Sequence, residues 1–142
     1  MKRFVIVLMA VVSLALSATK VQAQGLIDLT KDTFTRLVWD CDNSRTWKYL
    51  GAQPCVIIFY DNSVVSQTVE TMLEKLSKEY SHKALFYKVD IARQRELSVF
   101  FSADSKDAPT VVFIPEIGPK LLITRGALDE ATAKKNIVEV LK

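Results

Sequence analysis

Cys55-Val-Ile-Ile-Phe-Tyr60 is a run of six apolar residues with no polar alternation. A strand with one wet face alternates apolar and polar side chains, whereas a strand covered on both faces does not. The run therefore predicts a central strand of a sheet with helices on both sides. Asn62 or Ser63 can cap the helix that follows, whose apolar face reads Val65, Val69, Met72, Leu73, Leu76 and Tyr80, at helical spacing. Ala84 to Val89 reads as a second buried strand. Asp90 can cap a third helix to about Phe101, with Ile91, Leu97, Phe100 and Phe101 apolar. Pro109 opens the strand Thr110–Ile114, a turn over residues 115–120 holds two prolines and a glycine, and Leu121–Thr124 returns as a hairpin partner. Upstream, Gly25–Leu29 fits an edge strand. Thr30 can cap a first helix that carries Phe34, Leu37 and Val38 on one face and ends near Trp39. Asp129 can cap the last helix, with Ala133, Ile137, Val140 and Leu141 inward. Strands alternating with helices favour right-handed parallel crossovers, and the final hairpin adds an antiparallel edge. The expected fold is α/β, a mixed central sheet of four to five strands with helices on both faces.

The N-terminus carries a different signature. Lys2 and Arg3 precede an apolar run from Phe4 to Leu16, and small and polar residues end in Val21-Gln22-Ala23. This is the pattern of a cleavable secretory signal. The uncharged stretch, residues 4–19, is shorter than the ~20 residues of a membrane-spanning helix. Residues 1–23 are therefore expected to be a signal peptide and residues 24–142 a single exported domain, periplasmic or secreted, with no membrane association after cleavage. The formal charge of +3 resides in the signal, in Lys2, Arg3 and Lys20, so the mature chain is near neutral. That balance gives no electrostatic footprint for nucleic acid.

Chemistry-bearing residues are few. The two cysteines are Cys41 and Cys55. In an exported chain an even count suggests a disulfide, and two buried apolar thiols are the competing reading. A bridge would clip the ends of the long loop over residues 40–54 and let Trp47 and Leu50 pack as a fixed lid. The sole histidine, His82, lies in a polar turn with no partner at metal-ligand spacing. Trp39, Trp47 and Tyr49 read as packing aromatics. There is no glycine-rich phosphate loop and no Cys/His cluster, so neither a cofactor nor a metal is expected.

The stretches "LTKDTF", "WKYLGAQPCVIIFY", "ETMLEKLSKEY", "FYKVD", "APTVVFIP" and "GALDEATAKKNIVEVL" carry a family likeness. Through them the chain resembles the thioredoxin family, in particular exported thioredoxins of the Bacteroides type, over nearly all of residues 24–142. The resemblance implies a thioredoxin fold. It also implies a redox site at the turn between Tyr60 and the following helix, where the family has two cysteines two residues apart. The helix N-terminus there lowers the pKa of the first thiol. Here Ser63 and Ser66 stand at those positions, with Val64 and Val65 between them. Asn62 replaces the family's tryptophan, Ile58 replaces its buried acid, which the family links to proton transfer, and the turn is one residue shorter. Pro109 matches the family's cis-proline, and Ala108 the residue whose backbone pairs with an extended substrate segment.

These matches lead to the expectation of an exported, non-redox thioredoxin-like domain. It would bind a protein or peptide segment at a groove formed by Tyr60, Asn62, Ser63, Val64, Val65, Ala108 and Pro109. One alternative is a thiol-disulfide oxidoreductase-related protein that uses Cys41 and Cys55 or acts within a periplasmic redox pathway. Another is a structural subunit that uses the fold only as a scaffold.

Overall fold

The computed structural model describes residues 25–142. The signal-peptide reading, on residues 1–23, lies outside the described residues. In chain order the elements are β1 (Ile27–Asp28), α1 (Lys31–Leu37), β2 (Cys55–Tyr60), α2 (Val64–Glu79), β3 (Leu85–Asp90), α3 (Arg95–Phe100), β4 (Thr110–Ile114), β5 (Leu122–Arg125) and α4 (Glu130–Leu141). The sheet runs β1-β3-β2-β4-β5. Both β1 and β2 pair with β3 in parallel, and β4 pairs antiparallel with β2 and β5. The apolar run of β2 thus sits at the centre, with Cys55–Phe59 buried.

Alternate side chains of β2 divide the core in two. Ile57 and Phe59 pack with Phe34 and Val38 from the α1 side and with Leu97 and Phe101 from the α3 side. Val56 and Ile58 pack on the opposite face with Val69, Leu73 and Leu76 of α2 and Ala133, Ile137 and Val140 of α4. Caps fix the helix starts. Thr30 and Thr33 form a capping box on α1, Ser63 caps α2, and Asp129 caps α4.

Several expectations are corrected. The third helix is short and begins at Arg95. Asp90 does not cap it but closes the preceding turn, its carboxylate accepting from the N–H groups of Ala92 and Arg93. Leu37 of α1 and Val65 of α2 face outward, and Ser66 takes the inward position expected of Val65.

The largest correction concerns the cysteines. Cys41 and Cys55 are free thiols, Cys41 half-buried and Cys55 fully buried. The Tyr49 hydroxyl lies against Cys55 and donates to the Gln53 carbonyl at 2.6 Å. The loop is closed by backbone bonds instead, Leu50 N–H to the Val38 carbonyl and Leu85 N–H to the Pro54 carbonyl, both at 2.9 Å. Trp47 anchors the loop against Trp39 with ring centroids 5.4 Å apart, whereas Leu50 stays 45% exposed and packs no lid.

Candidate functional site at the start of α2

The chain leaves the C-terminal end of β2 at Tyr60 and turns through Asp61, Asn62 and Ser63 into α2. Asp61 organises this turn. Its Oδ1 accepts from the Ser63 N–H at 3.0 Å, an Asx-type turn, and from the Ser66 hydroxyl at 2.8 Å. The Ser66 Oγ in turn accepts from the Asp61 N–H at 3.2 Å, and the Ser63 Oγ accepts from the Ser66 N–H at 3.1 Å. Hydrogen bonds from Ser63, and then Ser66, hold the Asp61 carboxyl below the usual carboxylate range. Ser66 is 0% exposed, so its hydroxyl works inside the network and does not meet solvent.

No imidazole activates either hydroxyl. The sole histidine, His82, follows the other end of α2, a helix of 16 residues and hence ~24 Å long. The buried position at Ile58 pairs across the sheet with Lys88. Lys88 finds its acid on α2 instead, with its Nζ 3.2 Å from Glu70 Oε1 and 5.8 Å from the centre of the Tyr60 ring.

The other wall is the start of β4. Phe59 pairs with Thr110, which sets Pro109 beside the Tyr60 end of β2. The Ala108–Pro109 peptide is cis, and Pro109 is buried. The Gly126 N–H donates to the carbonyls of Pro109 at 2.8 Å and Asp107 at 3.1 Å. The half-buried Ala108 makes no backbone hydrogen bond among the described residues, so its N–H and carbonyl remain open to a partner. Val64 is 77% and Val65 42% exposed, an apolar pair that faces solvent at the head of α2. Next to Asp61, on the α3 side, a cleft of about 560 Å3 runs between the turn and the segment over residues 91–105.

The structure thus gathers Tyr60, Asn62, Ser63, Val64, Val65, Ala108 and Pro109 at one end of the sheet. Cys55 lies at the opposite end of β2, about 16 Å away at ~3.3 Å per residue. Burial pushes its thiol up to about 12, against the contact with the Tyr49 hydroxyl, and burial also raises Cys41. Sequence reasoning passed over Asp61 as a site residue. The pattern Asp-x-Ser-x-x-Ser, an Asx turn feeding a serine cap, was the available signal.

No family model matches the chain. A thioredoxin of Borreliella burgdorferi is 36% identical over 115 residues, which span 80% of this chain and 94% of that protein. The chain belongs to the thioredoxin family. Solved thioredoxins share its fold. Chloroplastic thioredoxin z superposes with a TM-score of 0.66 at 16% identity, covering 82% of this chain and 94% of its own. Malassezia sympodialis thioredoxin gives 0.65 at 22% identity, covering 84% and 95%. In this family member the turn into α2 carries two serines and no cysteine.

Proposed function

We propose that this thioredoxin-family chain has given up dithiol exchange at the head of α2 and acts as an exported domain that binds an extended protein or peptide segment. The observation that carries the reading is the closed network of Asp61, Ser63 and Ser66. Ser63 and Ser66 stand where the resemblance to exported Bacteroides-type thioredoxins implies the cysteine pair. A serine hydroxyl, with its pKa far above that of a thiol, does not attack a disulfide sulfur, and here both hydroxyls are bound within the turn. Burial of Ile58 in place of a carboxylate removes a desolvation cost and a proton carrier together.

Binding is supported by the open backbone groups of Ala108 and by the exposed Val64 and Val65 at the same end of the sheet. An extended segment would add main-chain hydrogen bonds there and lay alternate side chains on either side. Export is supported by the basic, apolar and small-residue pattern of residues 1–23. A redox role for Cys41 and Cys55 is opposed by the burial and raised pKa of Cys55.

The test is insulin reduction with excess dithiothreitol, run beside an intact thioredoxin. The expected rate is that of the reductant alone, and turnover near that of the intact enzyme overturns the reading. Mass spectrometry of the exported protein should find Gln24 as its first residue, and an uncleaved chain would overturn the export reading.

A further inference from the structure

The edge strand β5 borders a second cleft, of about 410 Å3, and none of the residues of the Ala108 groove lines it. Leu121, Ile123 and Arg125, alternate residues on one face of β5 and its lead-in, form one wall. Aromatic rings form the rest. Trp39 and Phe100 meet edge to face with centroids 5.4 Å apart, and Trp47 and Phe101 do so at 6.0 Å. Phe100 is 40% and Ile123 42% exposed, so apolar surface faces solvent on both sides of the cleft. The α3 side ends at Ser102, whose φ of 51 lies in the left-handed region that non-glycine residues rarely adopt.

The strand beside this cleft is open. β5 is the last strand of the sheet and pairs only with β4, so every second residue directs its N–H and carbonyl outward with no strand to receive them. Residues 121–124 include no proline and no charge that would block a further strand.

Charge selects among the possible occupants. Arg125 lines the cleft, and the exposed Lys48 and Lys120 adjoin the lining residues Trp47 and Leu121. None of the three forms an ion pair among the described residues. The Arg125 guanidinium reaches only the carbonyls of Phe101 and Ser102 and the Thr110 hydroxyl, each at 3.4 Å. The one acid that adjoins a lining residue, Asp40, is held by the Asn43 amide at 3.0 and 3.2 Å. Antiparallel pairing of β5 with a second copy about its centre would bring Lys120 of each copy against Arg125 of the other, a like-charge contact that destabilises a strand pair. An acidic strand would meet complementary charge at both ends of β5.

We propose that β5 and its cleft receive an extended, acidic segment of a partner protein, which adds a strand to the sheet and sets an apolar side chain among the rings. The surface is separate from the Ala108 groove, and the proposal does not depend on binding there.

The two tryptophans of the chain both line the cleft, so their fluorescence reports its occupation. The probes are a peptide of alternating valine and threonine with a central leucine and a glutamate at each end, and the same peptide with lysine at each end. The glutamate peptide should change the tryptophan emission and bind about two- to tenfold more tightly than the lysine peptide, the span of two exposed ion pairs. Sodium chloride should narrow the difference, and Lys120→Gln/Arg125→Gln should close it. N-methylation of one alternate set of peptide amides should abolish binding and methylation of the other set should not, because an added strand bonds along one edge only. Unchanged emission with the glutamate peptide, equal binding of the two peptides, or equal tolerance of both methylated sets overturns the proposal. So does a change in emission caused by phosphatidylglycerol vesicles and not by the peptide, which would assign the surface to a membrane. A dimer in sedimentation that Ile123→Glu dissolves would assign the edge to a second copy and overturn it as well.

Discussion

Asp61 carries charge, turn geometry and a helix start in one side chain, so single substitutions here have separable effects. Ser66→Ala removes the 2.8 Å bond to Asp61 and leaves the Asp61 N–H without its acceptor. The expected loss is about 1–3 kcal/mol in urea unfolding. The pH dependence follows from the lowered Asp61 pKa. The folded state prefers the ionised carboxylate, so the contribution is present above the unfolded value near 3.8 and is lost as pH falls through the lower folded value. Asp61→Asn should therefore lose less stability than the native protein as pH falls below about 4, read from denaturant midpoints. The thiols provide a second residue-scale test. Denatured, unreduced protein should titrate two thiols with Ellman's reagent. Native protein should show Cys41 reacting and Cys55 protected until the chain unfolds, because the thiolate is the reactive form and burial suppresses it. Two cysteines in an exported chain suggested a bridge. What the sequence could not supply was the position of Tyr49, which fills the space beside Cys55.

At the scale of elements, α2 and the connection from α3 to β4 differ in how fully their residues announce them. The start of α2 was legible because a serine cap and an apolar face at spacings of three and four specify it. Its phase was not, since Val65 and Ser66 lie four and three residues before the buried Val69, and both fit the inward stripe. The hydrogen bond to Asp61 draws Ser66 inward and leaves Val65 on the surface. The connection from α3 holds the strained Ser102, which among the described residues takes part in hydrogen bonds only through its backbone N–H and carbonyl. Ser102→Gly should retain those contacts and relieve the left-handed conformation. Its effect should be a gain of up to ~1 kcal/mol in urea unfolding with an unchanged m value, because glycine's entropy cost offsets part of the relief. A loss of stability would mean that the serine side chain supports the segment in some further way.

For the whole molecule, redox chemistry is a property of several distant positions acting together. Ser63→Cys/Ser66→Cys should therefore recover little insulin reductase activity. Ile58 stays buried without a carboxylate, and Lys88 stays paired with Glu70 on α2. Recovery to near the rate of an intact thioredoxin would show that the cysteines alone were missing. The sequence by itself determined the order of elements, the centrality of β2, the parallel pairing of the first three strands and the β4–β5 hairpin, but not the antiparallel pairing of β2 with β4. What it determined follows from local periodicity, caps and turns, which neighbouring residues carry among themselves. Only the tertiary structure decided that Cys41 and Cys55 stay free thiols, that Asp61 gathers both serines, and that a cleft opens beside Asp61. Those outcomes depend on distances between segments far apart in the chain. Side-chain packing and hydrogen bonding set such distances only once the sheet has brought the segments together.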